Sequence, residues 1–132
     1  NRLVGEDAAG PRVFDRLRAQ SLPEELELVD GGLAGLDLLR CADGAQRLVF
    51  VDAVCGLGTA VSEVDAEAVA ALADGAHHHG AGLPYLLRAL DCACDGAVPE
   101  VRVVGLEGVP DAEAIEQAAE LALRLAVDPG RR

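Results

Sequence analysis

Three groups of residues in this sequence could do chemistry together: Asp52 at the end of the apolar run Leu48-Val49-Phe50-Val51, the triplet His77-His78-His79, and the acid pair Glu6-Asp7. A carboxylate closing a buried strand sits where open α/β sheets build their sites, but it can equally cap a neighbouring turn, and topology alone weighs the two readings evenly. Neutral imidazoles in a loop can converge on a divalent cation, and the glycines that follow, Gly80 and Gly82, let the backbone bend. Adjacent residues rarely all face one ion, so one of the three histidines is expected to matter, and spacing does not say which. Glu6-Asp7 precedes the first expected helix, where carboxylates also gain from the helix macrodipole. Asp7, Asp52 and one histidine would make a carboxylate-rich site suited to nickel, zinc or manganese, with coordination positions left open.

Other chemistries find less support. The serines, Ser21 and Ser62, lie in no Gly-x-Ser-x-Gly elbow, which argues against a serine hydrolase. Cys55 follows Asp52 by three positions, but no pairing with a histidine can be read from that spacing. Gly56-Leu57-Gly58 lacks the helix start and acidic partner of a dinucleotide loop, and there is no Walker lysine, so no nucleotide cofactor is expected. Cys41, Cys55, Cys92 and Cys94 are irregularly spaced, and Cys92-Ala93-Cys94 is tighter than a zinc knuckle. Reduced, buried thiols in a cytoplasmic protein are the expectation.

Composition sets the limits within which such a site must be built. With 132 residues, 51% of them hydrophobic, the chain can bury one core and is read as a single domain over residues 1–132. Aromatics are confined to Phe14, Phe50 and Tyr85, so the core must be aliphatic, as suits helices packed closely on a sheet. The formal charge of −12, from 23 acids against 11 bases, would repel nucleic-acid phosphates and anionic membrane surfaces. No apolar run approaches the roughly 20 residues that span a bilayer, and no signal peptide is visible. Neither nucleic acid nor membrane insertion is therefore expected.

The elements that must position the candidates follow from periodicity. Val13, Phe14 and Leu17 behind Pro11 predict a helix over residues 9–20. Leu26-Glu27-Leu28-Val29 alternates as a half-buried strand, ended by Asp30-Gly31-Gly32, and Leu36 and Leu39 mark a short helix. The continuous run at 48–51 predicts a strand buried on both faces, terminated by Asp52. Residues 59–64 are β-prone and follow too soon for a helical crossover, which predicts an antiparallel edge strand. A helix over 65–73 and a loop through the histidines come next, then a helical stripe at Leu83, Leu86, Leu87 and Leu90. Val101-Arg102-Val103-Val104 supplies another strand, and Asp111 is a natural N-cap for a last helix faced by Ile115, Ala118, Leu121, Ala122 and Leu125. The expected fold is α/β: a mostly parallel sheet with helices on both faces and one antiparallel edge strand.

Taken in order, these segments resemble the hydrogenase maturation endopeptidases. Asn1-Arg2-Leu3-Val4-Gly5-Glu6-Asp7-Ala8-Ala9-Gly10 is similar to the family's Gly-Asn, acidic-pair, glycine segment. Leu28-Val29-Asp30-Gly31-Gly32-Leu33-Ala34-Gly35 resembles its Asp-Gly-Gly-Thr-x-Gly element, with Leu33 in place of threonine. Leu48-Val49-Phe50-Val51-Asp52-Ala53-Val54 looks like its central strand, His79-Gly80-Ala81-Gly82-Leu83 like its His-x-x-Gly-Leu loop, and Val103-Val104-Gly105-Leu106-Glu107 like its last strand. The family's first strand has no counterpart before Asn1, so the chain is expected to lack it or to continue upstream. Only Gly108-Val109-Pro110 joins Glu107 to the last helix, where family members carry a longer loop.

The resemblance implies an endopeptidase that removes the C-terminal extension of a nickel-iron hydrogenase large-subunit precursor after nickel insertion. It places Asp7, Asp52 and His79 on the family's three metal-contacting positions, with Asp30, Gly31 and Gly32 shaping the substrate cleft. The nickel would arrive with the substrate, so no permanently bound cofactor is expected. Asp7 and Asp52 are also the candidate water-aligning carboxylates. A non-catalytic metal-sensing or docking module of the same fold is the alternative.

Overall fold

A strand that is apolar on both faces needs a partner layer on each side, and the chain supplies two. The computed structural model describes residues 9–29, 46–54, 56–71, 87–90 and 99–127. Within them, α1 (Ala9–Arg18) precedes β1 (Arg47–Val54), β2 (Val61–Val64), α2 (Ala66–Ala71), β3 (Glu100–Glu107) and α3 (Ala112–Val127). The sheet order is β1-β3-β2. β1 pairs parallel with β3 from Arg47 opposite Glu100 to Val54 opposite Glu107, and β2 pairs antiparallel with β3 at the edge. The expected α/β class and antiparallel edge strand are therefore present.

Alternation along the strands divides the core. Val49, Val51 and Ala53 of β1, with Val104 and Leu106 of β3, pack with Val13 and Leu17 of α1 and with Ile115, Ala118, Ala122 and Leu125 of α3. Leu48 and Phe50, with Val101 and Val103, pack on the opposite face with Leu87 and Leu90 and with Val69 and Ala70 of α2. Small residues dominate α3's inner face because Ala118 and Ala119 lie against the sheet with almost no exposed surface. Asp111 caps this helix, its Oδ1 accepting from the Ala114 amide at 2.8 Å. Asp65 does the same for α2 through the Glu67 amide at 3.2 Å.

Both long helices start at the carboxyl edge of the parallel strands. A Cβ placed on Gly10 would lie 3.1 Å from the Val51 carbonyl oxygen, so the first turn of α1 comes close to the backbone of β1. Arg12 Nη1 donates to the Pro110 carbonyl at 2.7 Å, joining the start of α1 to the segment that leads into α3. Four residues on, Arg16 grips Glu116 through two bonds of 2.6 and 2.7 Å. The two helices thus run side by side in the same direction. At the opposite edge, Arg47 donates to the Leu125 carbonyl near the end of α3 at 2.7 Å and to Glu100 at 3.0 Å.

Two expectations change. The strand at 48–51 does not end at Asp52 but continues to Val54, because β3 runs alongside as far as Glu107 and gives Asp52, Ala53 and Val54 ladder partners. Residues 26–29 form no strand among the described residues; Leu28 meets its burial requirement by packing on the cluster shared with α1 and α3, without a ladder partner. The short helix expected at Leu36 and Leu39 lies outside the described residues.

Two outcomes follow from this packing. Arg16 holds the Glu116 carboxyl below the usual carboxylate range, mainly through its hydrogen bond and then through its charge. A depressed folded value means a contribution present above the unfolded value and lost as pH falls through the folded one. The difference in Tm between Glu116→Gln and the parent chain, present near neutral pH, should therefore close as pH falls below roughly 4. Separately, a Cβ at Gly105 would meet Val54 Cγ2 at 2.9 Å and Val64 Cγ1 at 3.6 Å. Gly105→Ala should cost about 1–3 kcal/mol in urea unfolding, and less in a Val54→Ala background.

Candidate functional site

Period two along β1 puts Asp52 on the face of Leu48 and Phe50, one step nearer the carboxyl edge. Its Cα partner on β3 is Gly105. A glycine there leaves the neighbouring strand without a side chain beside the carboxylate. Asp52 is half-buried, and its Oδ1 accepts a hydrogen bond from the Ala53 amide at 2.9 Å. The carboxylate is thus oriented by the backbone of its own strand. This bears on the question left even by sequence: Asp52 lies within a paired strand, and its Oδ1 accepts from the amide of its immediate neighbour in that strand.

Two connections border Asp52 along the carboxyl edge. Residues 56–60 lead from β1 towards β2, and residues 108–111 lead from β3 into α3. Gly56, Gly58 and Gly108 have φ of 76°, 81° and 58°, the left-handed region that glycine enters without steric cost. Glu107, the last residue of β3, reaches across to the first connection. Its Oε2 accepts from the Gly56 amide at 3.1 Å, and its Oε1 accepts from the Leu57 amide. The backbone adds a Glu107 amide bond to the Ala60 carbonyl at 3.0 Å and a Gly108 amide bond to the Val54 carbonyl at 3.4 Å. The N-termini of α1 and α3 also face this edge, adding positive potential.

Of the residues singled out by sequence, the structure places Asp52 alone. Asp7, His79, Asp30, Gly31 and Gly32 lie outside the described residues, as do the four cysteines. Among the described residues no three of His, Cys, Asp and Glu converge as a metal group. Among the described residues, two surface depressions lie away from Asp52. One, of about 320 Å³, is bounded by Glu63, Asp65, Glu67, Glu100 and Arg102 at the other end of β3. The second, of about 240 Å³, lies between β2 and α3. Size is the weaker guide here, since the first is filled electrostatically by Arg102, which is paired with Glu63 at 2.6 Å and Glu100 at 3.2 Å.

Comparison with known proteins agrees with the resemblance. The description of hydrogenase maturation proteases as a family matches residues 11–128 of this sequence. The chain belongs to the hydrogenase maturation protease family. The hydrogenase 2 maturation protease of Escherichia coli (strain K12) is 30% identical over 137 residues, an alignment covering 93% of this chain and 84% of that protein. The crystal structure of hydrogenase 2 maturation peptidase from Thaumarchaeota archaeon SCGC_AB-539-E09 superposes with a TM-score of 0.54 at 27% identity, covering 97% of this chain and 91% of that one. The family is one of endopeptidases, so the chemistry to be accounted for is hydrolysis of a peptide bond.

Sequence reasoning overlooked two features of this maturation protease. Glu107 was matched to the family's last strand without a role, although an acid closing a strand beside two glycine-bearing turns is a visible signal. The Arg102 pairing was also overlooked, although an arginine inside the run Val101-Arg102-Val103 breaks the apolar pattern and demands a partner. Asp52→Asn keeps an oxygen able to accept from the Ala53 amide, so its unfolding free energy should stay within about 1 kcal/mol of the parent chain's. Urea titration of the two proteins checks this.

Proposed function

We propose that this chain removes the C-terminal extension of a nickel-iron hydrogenase large-subunit precursor after nickel insertion, in the cytoplasm, reading the substrate-bound metal at the carboxyl edge of its sheet. The observation that carries the reading is Asp52: a half-buried carboxylate on β1, paired in parallel with the central strand β3 opposite Gly105, at the edge where both long helices begin. Family membership supplies the protease activity, and the names of both relatives specify hydrogenase 2 maturation.

The carboxylates of Asp7 and Asp52 and the imidazole of His79 are the proposed contacts for the incoming nickel, and Asp30, Gly31 and Gly32 the proposed cleft wall. Oxygen and imidazole donors suit nickel, and three contacts leave room for the ligands the substrate brings. Asp7 stands three positions before Gly10, and Gly10 lies against the Val51 carbonyl next to Asp52, which supports a shared site. On the other flank, Leu87 and Leu90 follow the histidines in sequence and pack in the cluster that includes Phe50, on the face Asp52 shares.

In hydrolysis, Asp7 or Asp52 aligns a water and accepts its proton as the oxygen attacks the scissile carbonyl carbon. Collapse of the tetrahedral intermediate breaks the C–N bond, and the leaving nitrogen takes a proton. Backbone N–H donors at the helix starts provide positive potential for the developing oxyanion. The metal is cargo of the substrate and reports that insertion is complete.

Mixing the full-length protein with nickel-loaded and nickel-free precursor, and reading the subunit's C-terminus by mass spectrometry, tests this. The expected result is tail removal from the nickel-loaded precursor alone, with Asp52→Ala slowed by roughly 10²–10⁴-fold and Asp7→Ala and His79→Ala also impaired. Tight binding with an intact tail in every mixture would instead make the chain a docking module.

A further inference from the structure

The groups at the carboxyl edge other than Asp52 include one ionisable side chain whose position the ladder does not dictate. Glu107 ends β3, and its two carboxylate oxygens accept from two successive backbone amides, Gly56 and Leu57, in the segment that leaves β1 two residues after its last paired position. Successive N–H groups with a glycine in the left-handed region form a concavity suited to an anion, here occupied by the carboxylate of the neighbouring strand.

We infer that Glu107 is a positioning residue for cleavage: its carboxylate staples the 56–60 connection to the end of β3 and so fixes the wall of the cleft beside Asp52. The inference rests on the reading of Asp52 as part of the reacting site. Several features make the side chain the deciding restraint. Among the described residues, no heavy atom lies within 4 Å of where a Cβ on Gly56 or Gly58 would be, so none of them packs on that side of the turn. The backbone bonds on either side, Glu107 to Ala60 at 3.0 Å and Gly108 to Val54 at 3.4 Å, fix the two ends of the connection and leave Gly56 and Leu57 to the carboxylate. Asp52 is four residues before Gly56 on the same strand and exit, so a displaced turn changes the shape available to a peptide lying beside Asp52. Misplacement on the scale of an ångström is enough to cost about 10²-fold in rate. Charge-assisted bonds to two amides supply rigidity that a neutral side chain would not.

The substitutions distinguish this from a merely structural role. Glu107→Ala removes both acceptors. Glu107→Gln keeps one acceptor but turns an amide N–H₂ towards the other backbone N–H. Glu107→Asp keeps both acceptor oxygens on a shorter stem. Full-length variants are compared by thermal unfolding, by amide hydrogen exchange at Gly56 and Leu57, and by kcat and KM on the nickel-loaded precursor. The expected result is a folded Glu107→Ala protein that loses protection at Gly56 and Leu57 and at least tenfold in kcat, with Glu107→Asp recovering part of both. Retained protection in Glu107→Ala overturns the staple. Lost protection with wild-type kcat and KM, measured below the unfolding temperature, overturns its role in cleavage. Because exchange needs no substrate, absence of cleavage by the parent chain counts against the site reading alone, while the exchange result still decides the staple.

Discussion

Parallel pairing of β1 with β3 is the constraint on which the rest of the molecule depends. Two parallel strands must put both carboxyl ends on one edge, and the ladder from Arg47 opposite Glu100 to Val54 opposite Glu107 extends that alignment over eight positions. Both faces must then be covered, since neither strand has a polar side to offer water. The aliphatic cluster beneath α1 and α3, and the second around Leu87, Leu90 and Val103, meet that demand. With the helices returning antiparallel to the strands, their starts come to the same edge as Asp52. A carboxylate site at that edge is thus a result of connectivity before it is a matter of side-chain choice.

The opposite edge is managed by charge. Arg47 and Arg102 face Glu100, Arg102 also faces Glu63, and Arg47 reaches the end of α3. Arg102 is almost fully enclosed, so its value lies in being fully paired rather than in added stability; a buried ion pair costs desolvation that its attraction only partly returns. This arrangement occupies the larger depression with internal partners. The carboxyl edge differs in having Gly105 beside Asp52 and glycine-bearing turns, the features on which the proposed site rests.

Much of this was legible from pattern. The apolar run at 48–51, the edge strand at 59–64, the Asp111 cap and the inner face of the last helix all follow from periodicity and capping chemistry, because burial on a regular element leaves a regular trace. Asp52 was legible as a position but not as an environment: sequence ended the strand there, whereas the ladder continues because β3 is long enough to pair with it. Leu28 shows the converse failure, since an alternating pattern records burial and not hydrogen bonding. The contact between Glu107 and the 56–57 amides depends on two segments 50 residues apart coming together, which no local rule reports.

In the proposed function, the nickel of the substrate meets this protein at Asp52. Anomalous diffraction at the nickel edge, from crystals of the full-length protein bound to nickel-loaded precursor, tests it most directly. The expected result is a single nickel peak within coordination distance of the Asp52 carboxylate, at the carboxyl edge of β1. A peak at the acidic depression around Glu63, Asp65 and Glu100, or one remote from the sheet's carboxyl edge, would contradict it.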